Sequence, residues 1–281
     1  MPNIAFLNGR FMPLSAAKVH VEDRGYQFGD GIYELIRTYH GRVFLLEEHL
    51  SRLEKSAAAI DLNLYYTHRE WIKIIADAHR KSRFSEARIY VQVTRGVAPR
   101  SHEIPRKIRP TTVVTVRRFV PLPTPLRKQG VAILTIQDFR WGRCDLKSIN
   151  LLPNILAKQK ARAQGAFEAV FIRNGWVTEG TTSNIFAVLN GSLLTPPAGP
   201  YLLSGITRDL VVRLAKQAGM DVKERDISID EVYRADEVFI TATSIEVLPV
   251  IQVNDRPIGA GRPGRHTQHL FSLFESLTLK K

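Results

Sequence analysis

The segment RWGRCDLKSIN, from Arg140 to Asn150, joins a mixed polar stretch to an apolar helix opening, LLPNIL, and contains the most informative lysine of the chain. Lys147 follows Leu146 directly and lies close to this apolar run in the sequence. Such a position indicates a residue near a domain core. Burying an ammonium group is costly unless it is paired, and burial favours the neutral amine. The neutral amine is the form that makes a Schiff base. Lys147 is therefore a candidate nucleophile, although most lysines are surface residues.

The composition around this segment is that of a globular protein. Of 281 residues, 44% are hydrophobic and 24% charged, which argues against wholesale disorder. The single cysteine, Cys144, excludes an intrachain disulfide and a multi-thiolate metal site, so we expect no metal. No apolar run approaches the ~20 residues of a membrane helix, and the start MPNIAFLNGRFMPLSAAK lacks the layout of a signal peptide. We expect a cytoplasmic protein that does not contact membranes.

The charge is strongly positive and unevenly distributed. The chain has 40 Lys+Arg and 27 Asp+Glu, a formal net charge of +13. Between positions 95 and 128, nine basic residues and one acidic residue leave a net +8. The nine are Arg95, Arg100, Arg106, Lys107, Arg109, Arg117, Arg118, Arg127 and Lys128. A basic nucleic-acid-binding protein is one interpretation, but zinc-finger spacing and an aromatic RNA-binding signature are missing. A solvated surface or small anionic ligands fit better.

Prolines at positions 121, 123 and 125 indicate a boundary between two domains. The segment FVPLPTPL, residues 119–126, is predicted to be an extended connector between a smaller domain at 1–118 and a larger one at 127–281. Helices are predicted at 46–60, 68–81, 151–164, 205–219 and 265–277. Strands are predicted at 4–7, 33–39, 43–45, 88–94, 111–118, 131–136, 169–173, 184–189, 192–195, 236–241 and 247–253. This order predicts two α+β domains with mainly antiparallel sheets and flanking helices, and it contains no Rossmann or P-loop motif.

Two polar segments of the first half can bind an anion. EDRGYQFGDGIYE, residues 22–34, is rich in glycine and directly precedes a strand. TRGVAPRSH, residues 94–102, presents Arg100 and His102 two positions apart. In an extended loop such side chains point the same way, so a guanidinium and an imidazole can hold one carboxylate. Two exposed loop residues remain the alternative.

Three segments of the second half also combine polar groups with turn formers. In VTEGTTSNIF, residues 177–186, Glu179 ends a strand and precedes three hydroxyl residues. In LLSGITRD, Ile206 and Thr207 open a helix after Gly205, and the free N–H groups of a helix start favour a phosphate. In FITATSIE, Thr243 follows a strand end with its hydroxyl available. An ordinary turn explains each segment equally well when it is taken alone.

In this order, the segments resemble those of the fold-type IV pyridoxal-phosphate enzymes and, among them, the D-amino acid aminotransferases. The resemblance runs from EDRGYQFGDGIYE through EHLSRL, VTRGVAPRSH, RWGRCDLKSINLL, VTEGTTSN and GITRD to ITATSIEVLPV. It implies two α+β domains with pyridoxal 5'-phosphate between them, and a homodimer whose active site is partly shared between subunits.

The resemblance also implies a role for each matching residue. Lys147 would be the catalytic residue, forming the Schiff base with the cofactor and carrying the proton of the substrate Cα. Glu179 would bind the pyridine nitrogen, and Leu203 would pack on the ring. The remaining cofactor-binding residues would be Arg52, His49, Ile206, Thr207 and Thr243, and the substrate carboxylate would be bound by Tyr33, Arg100 and His102. Ala242 stands where relatives can carry a serine, which removes one expected hydroxyl.

The predicted function is transfer of the amino group of D-alanine or a similar D-amino acid to 2-oxoglutarate or pyruvate. Within the same fold, an (R)-amine transaminase or a branched-chain transaminase is the alternative. The Arg100-Ser101-His102 sequence resembles a carboxylate-binding site for D-amino acids and favours the first prediction.

Overall fold

The computed structural model describes residues 3–279, which divide into two compact units. Residues 3–120 and 146–150 form the first unit, and residues 121–145 and 151–279 form the second. The short segment 146–150, which contains Lys147, thus packs with the first unit although it follows the proline-rich stretch in the chain. The domain limits predicted from the sequence stay a prediction.

The first unit contains a sheet of six strands among the described residues, covered by helices. Its elements are β1 (Ile4–Leu7), β2 (Arg10–Pro13), α1 (Arg24–Phe28), β3 (Gly31–Tyr39), β4 (Arg42–Val43), α2 (Leu46–Ala58), α3 (His68–Ser82), β5 (Ala87–Thr94) and β6 (Thr111–Arg118). The sheet order is β2-β1-β6-β5-β3-β4, and every pairing is antiparallel. The apolar face of α2 is buried at Leu50, Leu53 and Ala57, and His49 is buried beside it.

The second unit contains a mixed sheet of nine strands among the described residues. Its elements are α4 (Thr124–Gln129), β7 (Val131–Gln137), α5 (Leu152–Ala163), β8 (Glu168–Arg173), β9 (Trp176–Gly180), β10 (Asn184–Leu189), β11 (Ser192–Thr195), α6 (Ile206–Gln217), β12 (Val222–Glu224), α7 (Ile229–Arg234), β13 (Glu237–Ala242), β14 (Glu246–Val253), β15 (Arg256–Pro257) and α8 (Arg265–Leu279). Along the sheet the order is β12-β11-β10-β13-β14-β7-β8-β9, and β15 pairs with β14. Three pairings are parallel, β11 with β12, β14 with β7 and β7 with β8. The predicted α+β class with mainly antiparallel sheets is confirmed.

The structure differs from the predicted elements where local geometry outweighs composition. The strand predicted at 43–45 ends at Val43, because Leu45 adopts a left-handed conformation (φ 52°) as the N-cap of α2. The extended stretch predicted for 119–126 gives way to α4, in whose first turn Pro125 needs no N–H partner. The helix α1 was not predicted, since five residues are too few to show a helical period.

Among the residues described, no helix is both long enough and apolar enough to cross a bilayer.

Candidate active site

Lys147 is held against strand β3 by backbone hydrogen bonds. The Tyr33 N–H donates to the Lys147 carbonyl at 2.9 Å, and the Ile149 N–H donates to the Gly31 carbonyl at 3.1 Å. The Lys147 N–H lies 3.3 Å from the hydroxyl of Ser56 on α2. The Lys147 Nζ lies 4.4 Å from the centroid of the Tyr33 ring. The segment therefore fixes a half-buried amine over an aromatic ring.

The carboxylate of Glu34, on β3, binds two side chains of α2. It accepts hydrogen bonds from Arg52 Nε at 2.7 Å and from Arg52 Nη2 at 2.9 Å, and His49 Nδ1 lies 2.7 Å from its Oε2. Burial raises the pKa of Glu34, but the Arg52 charge and the His49 hydrogen bond outweigh it and lower the pKa to about 2. Arg52 thus already has a bidentate partner, and its predicted contact with a phosphate stays a prediction.

His49 is kept in its neutral form. Burial lowers its pKa, the Glu34 carboxylate acts in the opposite direction, and the charges of Arg52 and Lys147 add to the lowering. Because a carboxylate only accepts hydrogen bonds, Nδ1 is the protonated nitrogen and Nε2 is an acceptor. Arg52, Glu34 and His49 thus form one buried cluster, and the charge of Lys147 acts on His49 within it.

The structure brings Arg100 and His102 together on one aromatic ring. The Arg100 guanidinium lies 4.5 Å from the Phe28 centroid, and the His102 ring meets Phe28 edge-on at 5.5 Å. Both side chains are exposed. Tyr33, the third predicted carboxylate ligand, contacts Lys147 and Tyr90 instead. The centroids of the Tyr33 and Tyr90 rings lie 5.7 Å apart.

Glu179, at the end of β9, is a buried carboxylate with three donors around it. Arg140 Nη1 lies 2.6 Å from its Oε1. The Leu203 N–H donates to its Oε2 at 3.0 Å, and Asn184 Nδ2 lies 3.5 Å from the same oxygen. Asn184 Nδ2 also donates to the Leu203 carbonyl at 2.9 Å. Leu203 therefore contributes its backbone to the placement of Glu179, and its predicted packing on a ring stays a prediction.

Arg140 is an unpredicted member of this cluster. Burial lowers its pKa, but hydrogen bonds and charge from Asp138 and Glu179 outweigh that effect, so the pKa is raised above its ordinary value. Its Nε and Nη2 each lie 3.0 Å from an Asp138 oxygen, and its guanidinium lies 4.1 Å from the Phe171 centroid. The cation is permanent, so Glu179 has a fixed positive neighbour.

The start of α6 has the properties of an anion site. Gly205 is the N-cap and supplies no side-chain hydrogen bond. Ile206 and Thr207, which open the helix, are nevertheless buried, at 7% and 6% exposure. The first N–H groups of a helix have no partner within it and carry a partial positive charge. A buried start without a side-chain cap therefore suits a phosphate group.

The turn between β13 and β14 carries Thr243 and is braced by Arg127 from α4. Arg127 Nη1 donates to the carbonyls of Ile245 and Val247, each at 3.1 Å, and Arg127 Nη2 pairs with the Glu246 carboxylate. Glu246 has a left-handed backbone (φ 60°), which is unfavourable for a residue with a side chain. The brace thus stabilises a strained turn.

The family of the chain follows from comparison with known sequences. A family model described as amino-transferase class IV matches residues 31–253, which include every predicted site residue. The chain belongs to the class IV aminotransferases.

Curated relatives of this aminotransferase match it over almost its whole length. D-alanine aminotransferase of Bacillus licheniformis is 43% identical over 98% of this chain and 96% of its own length. D-alanine aminotransferase of Staphylococcus haemolyticus is 39% identical over 94% of each chain. Among solved structures, Escherichia coli branched-chain amino acid aminotransferase is 29% identical, with a TM-score of 0.93 over 99% of this chain and 95% of that chain.

The donor set of the aminotransferase fits pyridoxal 5'-phosphate, the cofactor of this family. A related structure, the branched-chain amino acid aminotransferase of T.th., was solved with pyridoxamine 5'-phosphate; it is 28% identical, with a TM-score of 0.91 over 98% of this chain and 93% of that chain. In the present chain, the buried start of α6 suits the phosphate and Glu179 suits a protonated ring nitrogen. Within the described residues, the buried Thr241 Oγ1 has no hydrogen-bond partner, and it lies two positions before Thr243.

Four members of these clusters were not predicted from the sequence: Glu34, Arg140, Asn184 and Arg127. Glu34 and Arg140 lie inside the quoted segments EDRGYQFGDGIYE and RWGRCDLKSIN. A buried ion pair between Arg140 and Glu179 joins positions 39 apart, and no local pattern marks it. His49 lies beside the buried residues Leu50, Leu53 and Ala57 of α2, so helical periodicity is the one local signal that could have marked it as buried.

Proposed function

We propose that this aminotransferase transfers the amino group of D-alanine or a similar D-amino acid to 2-oxoglutarate or pyruvate. The observation that carries the proposal is its full-length similarity to curated D-alanine aminotransferases, at 39% to 43% identity. The exposed pair Arg100 and His102, held against one ring, supports it because both can donate hydrogen bonds to a carboxylate.

We propose that Lys147 Nζ attaches the cofactor and then moves the proton that leaves the substrate Cα. Bound pyridoxal 5'-phosphate supplies an electron-accepting ring beside that carbon. Glu179 would hold a proton at the ring nitrogen, since the carboxylate is kept in place by Arg140 and the Leu203 N–H. Its charge then favours the protonated ring.

The phosphate would be bound by donors at the start of α6 and in the turn between β13 and β14. The N–H groups of Ile206 and Thr207 and the hydroxyls of Thr207 and Thr243 are the proposed donors. Arg52 is also proposed to bind the phosphate through its charge, and His49 and Glu34 hold the Arg52 side chain in place. Tyr33, Arg100 and His102 would bind the α-carboxylate of the substrate.

Turnover of the two alanine enantiomers tests the proposed function. The protein purified with pyridoxal 5'-phosphate should absorb near the Schiff-base band and should convert D-alanine with 2-oxoglutarate faster than L-alanine or L-leucine. Preferred turnover of the L-amino acids would contradict the D-specificity, and preferred turnover of an (R)-amine without a carboxylate would support the alternative transaminase.

Removal of Lys147 tests its catalytic role. The variant Lys147→Ala should lose at least about 1,000-fold in the rate of the D-alanine half-reaction, because the amine that moves the proton is gone. Lys160→Ala, at an exposed position of α5, is the matched control and should retain the wild-type rate. A wild-type rate for Lys147→Ala would refute the assignment.

We also propose that the protein acts as a homodimer in the cytoplasm, with domains at 1–118 and 127–281 joined by residues 119–126. The exposed apolar side chains in the N-terminal half of α5 support self-association. Leu152, Ile155 and Leu156 expose 65%, 54% and 54% of their surfaces in the single chain. Sedimentation velocity at micromolar concentration measures the mass, and a monomer would contradict the proposed dimer.

A further inference from the structure

The loop that carries Arg100 and His102 is tied to α1 by a buried arginine. Arg24 Nη1 donates to the Ser101 carbonyl at 2.6 Å and to the Glu103 carbonyl at 3.2 Å. These two carbonyls flank His102 on either side in the chain. One guanidinium nitrogen therefore fixes the backbone on both sides of a proposed substrate ligand.

Arg24 is itself held rigidly. It is 4% exposed, and its Nε donates to Asp30 Oδ2 at 2.8 Å. Asp30 also accepts from Arg95 Nε at 2.8 Å, and the other nitrogens of Arg95 donate to the carbonyls of Ile60 and Asp61 just past α2. The loop is thus anchored to the C-terminal end of α2 through Arg24, Asp30 and Arg95.

The short helix α1 is fastened to the sheet at the same point. Asp23, its N-cap, accepts hydrogen bonds from the Gly25 N–H at 2.8 Å and from the Thr94 hydroxyl at 2.9 Å. The Arg24 N–H donates to the Gly96 carbonyl at 2.8 Å. These bonds give the Arg24 side chain a fixed origin at the end of β5.

Arg24 also shares an aromatic contact with both proposed ligands. Its guanidinium lies 5.0 Å from the Phe28 centroid, and Arg100 and His102 lie 4.5 Å and 5.5 Å from the same centroid. Phe28 is therefore a common support whose position depends on the helix that Arg24 begins.

We propose that Arg24 is a positioning residue that sets the affinity of the enzyme for the substrate carboxylate. It does so by holding residues 101–103 so that Arg100 and His102 present their donors together. This inference rests on the proposed function of those two residues. A guanidinium is needed because Nε serves Asp30 while Nη1 serves two carbonyls, and an ammonium group cannot span that arrangement.

Steady-state kinetics of Arg24→Lys and Arg24→Gln test the proposal. Both variants should raise KM for D-alanine and for 2-oxoglutarate by about tenfold or more, while kcat stays within about threefold. The lysine variant keeps the charge, so an equal rise in KM in both variants assigns the effect to position. Rescue by lysine would assign it to charge and would overturn the proposal.

Arg106→Gln is the matched control, because it removes one charge from an exposed position of the same basic stretch. Its KM should stay within about twofold of the wild type. Equal KM changes in the control and in the Arg24 variants would overturn the proposal, as would a loss of kcat with unchanged KM.

Hydrogen exchange of the backbone amides at 101–103 gives a readout that needs no substrate. These amides should exchange more slowly in the wild type than in Arg24→Lys, in the holoenzyme at equal temperature. Equal exchange rates of these amides in the wild type and in Arg24→Lys, or faster exchange in the wild type, would overturn the inference. If D-alanine is not turned over while the exchange result holds, the proposed function fails and the tether of the loop stands.

Discussion

At the scale of the single residue, Glu34 links burial to electrostatics. Its carboxylate is almost wholly buried, which by itself favours the neutral acid. Arg52 and His49 reverse that preference and lower its pKa to about 2, so the buried group remains an anion. Removal of one partner from such a cluster leaves an uncompensated buried charge, which is far more costly than breaking an exposed ion pair.

The sign of the pH dependence follows from these shifts. Glu34 has a lower pKa in the folded state than its ordinary 4.5, so its contribution to stability is complete above pH 4.5 and is lost as the pH falls toward 2. His49 also has a lowered pKa, below 6.5, so the unfolded chain takes up its proton first and acid destabilises the fold from pH 6.5 downward. Both groups therefore weaken the folded state in acid.

We predict that the free energy of unfolding decreases as the pH falls from 6.5 to 3. Glu34→Gln should remove most of the decrease that occurs below pH 4.5. The ionised carboxylate contributes roughly 3 kcal/mol above that pH. Urea unfolding at a series of pH values measures the profile. Glu22→Gln, at an exposed position of the same unit, should follow the wild-type profile. An unchanged profile in Glu34→Gln would contradict the assignment.

The segment around Lys147 shows which features of the candidate site a local stretch of sequence can predict. Lysine beside an apolar helix opening, and glutamate at a strand end before hydroxyl residues, are local signals that a single stretch displays. The partners of these groups were not predictable in the same way. Glu34 reaches Arg52 across 18 positions, and Arg140 reaches Glu179 across 39, because distant segments meet only after the chain folds.

At the scale of the element, the start of α6 joins the proposed phosphate site to the Glu179 cluster. A methyl group added at Gly205 would lie 2.1 Å from Asn184 Oδ1, which is far closer than van der Waals contact permits. Asn184 would have to move, and it holds the Leu203 carbonyl and approaches Glu179. One small substitution at the helix start therefore disturbs two parts of the proposed cofactor site.

We predict that Gly205→Ala weakens retention of pyridoxal 5'-phosphate by about tenfold or more, since it displaces Asn184 beside the start of α6. Dialysis against cofactor-free buffer, followed by absorbance, measures the loss. Gly199→Ala is the control, because a methyl group there meets no atom within 4 Å. Equal retention in both variants would show that the start of α6 does not bind the phosphate.

The helix α4 is also expected to affect the retention of the cofactor, through Arg127. Arg127 holds the carbonyls of Ile245 and Val247 and pairs with Glu246, and so it fixes the turn that carries Thr243. Arg127→Ala should speed cofactor loss by about threefold to tenfold, because the left-handed backbone of Glu246 loses its brace.

The neighbouring Lys128, which is exposed, supplies the control for this prediction. Lys128→Ala removes one charge from the same helix and should leave the rate of cofactor loss unchanged. A rate for Arg127→Ala equal to that of Lys128→Ala would indicate that the turn holds its shape without the brace.

At the scale of the whole molecule, the net charge of +13 acquires a more specific meaning. Two of the basic residues support the fold: Arg95 is buried against Asp30, and Arg127 pairs with Glu246 in the turn between β13 and β14. Arg100 is exposed and is a proposed ligand. A positively charged molecule attracts small anions over about one Debye length, and added salt weakens this attraction.

We predict that kcat/KM for 2-oxoglutarate falls about threefold or more when the ionic strength rises from ~0.02 M to ~0.3 M. The fall should be smaller for pyruvate, which carries one negative charge instead of two. Initial rates with D-alanine as donor measure both slopes in an unreactive salt such as NaCl. An equal salt response for the two acceptors would contradict attraction by charge.

The sequence by itself determined the α+β class of the fold and the order of the polar segments, because these depend on local composition and spacing, and its resemblance to a known family proposed Lys147 and Glu179 as site residues. It also located α2 and β6 within a residue or two, since an apolar face or a β-branched run repeats over several turns or pleats. Only the tertiary structure decided which charges are neutralised inside the protein. Glu34 with Arg52, Arg140 with Glu179 and Arg24 with residues 101–103 are long-range pairings, and the free energy of such a pairing depends on burial and distance, which a chain acquires only when it folds.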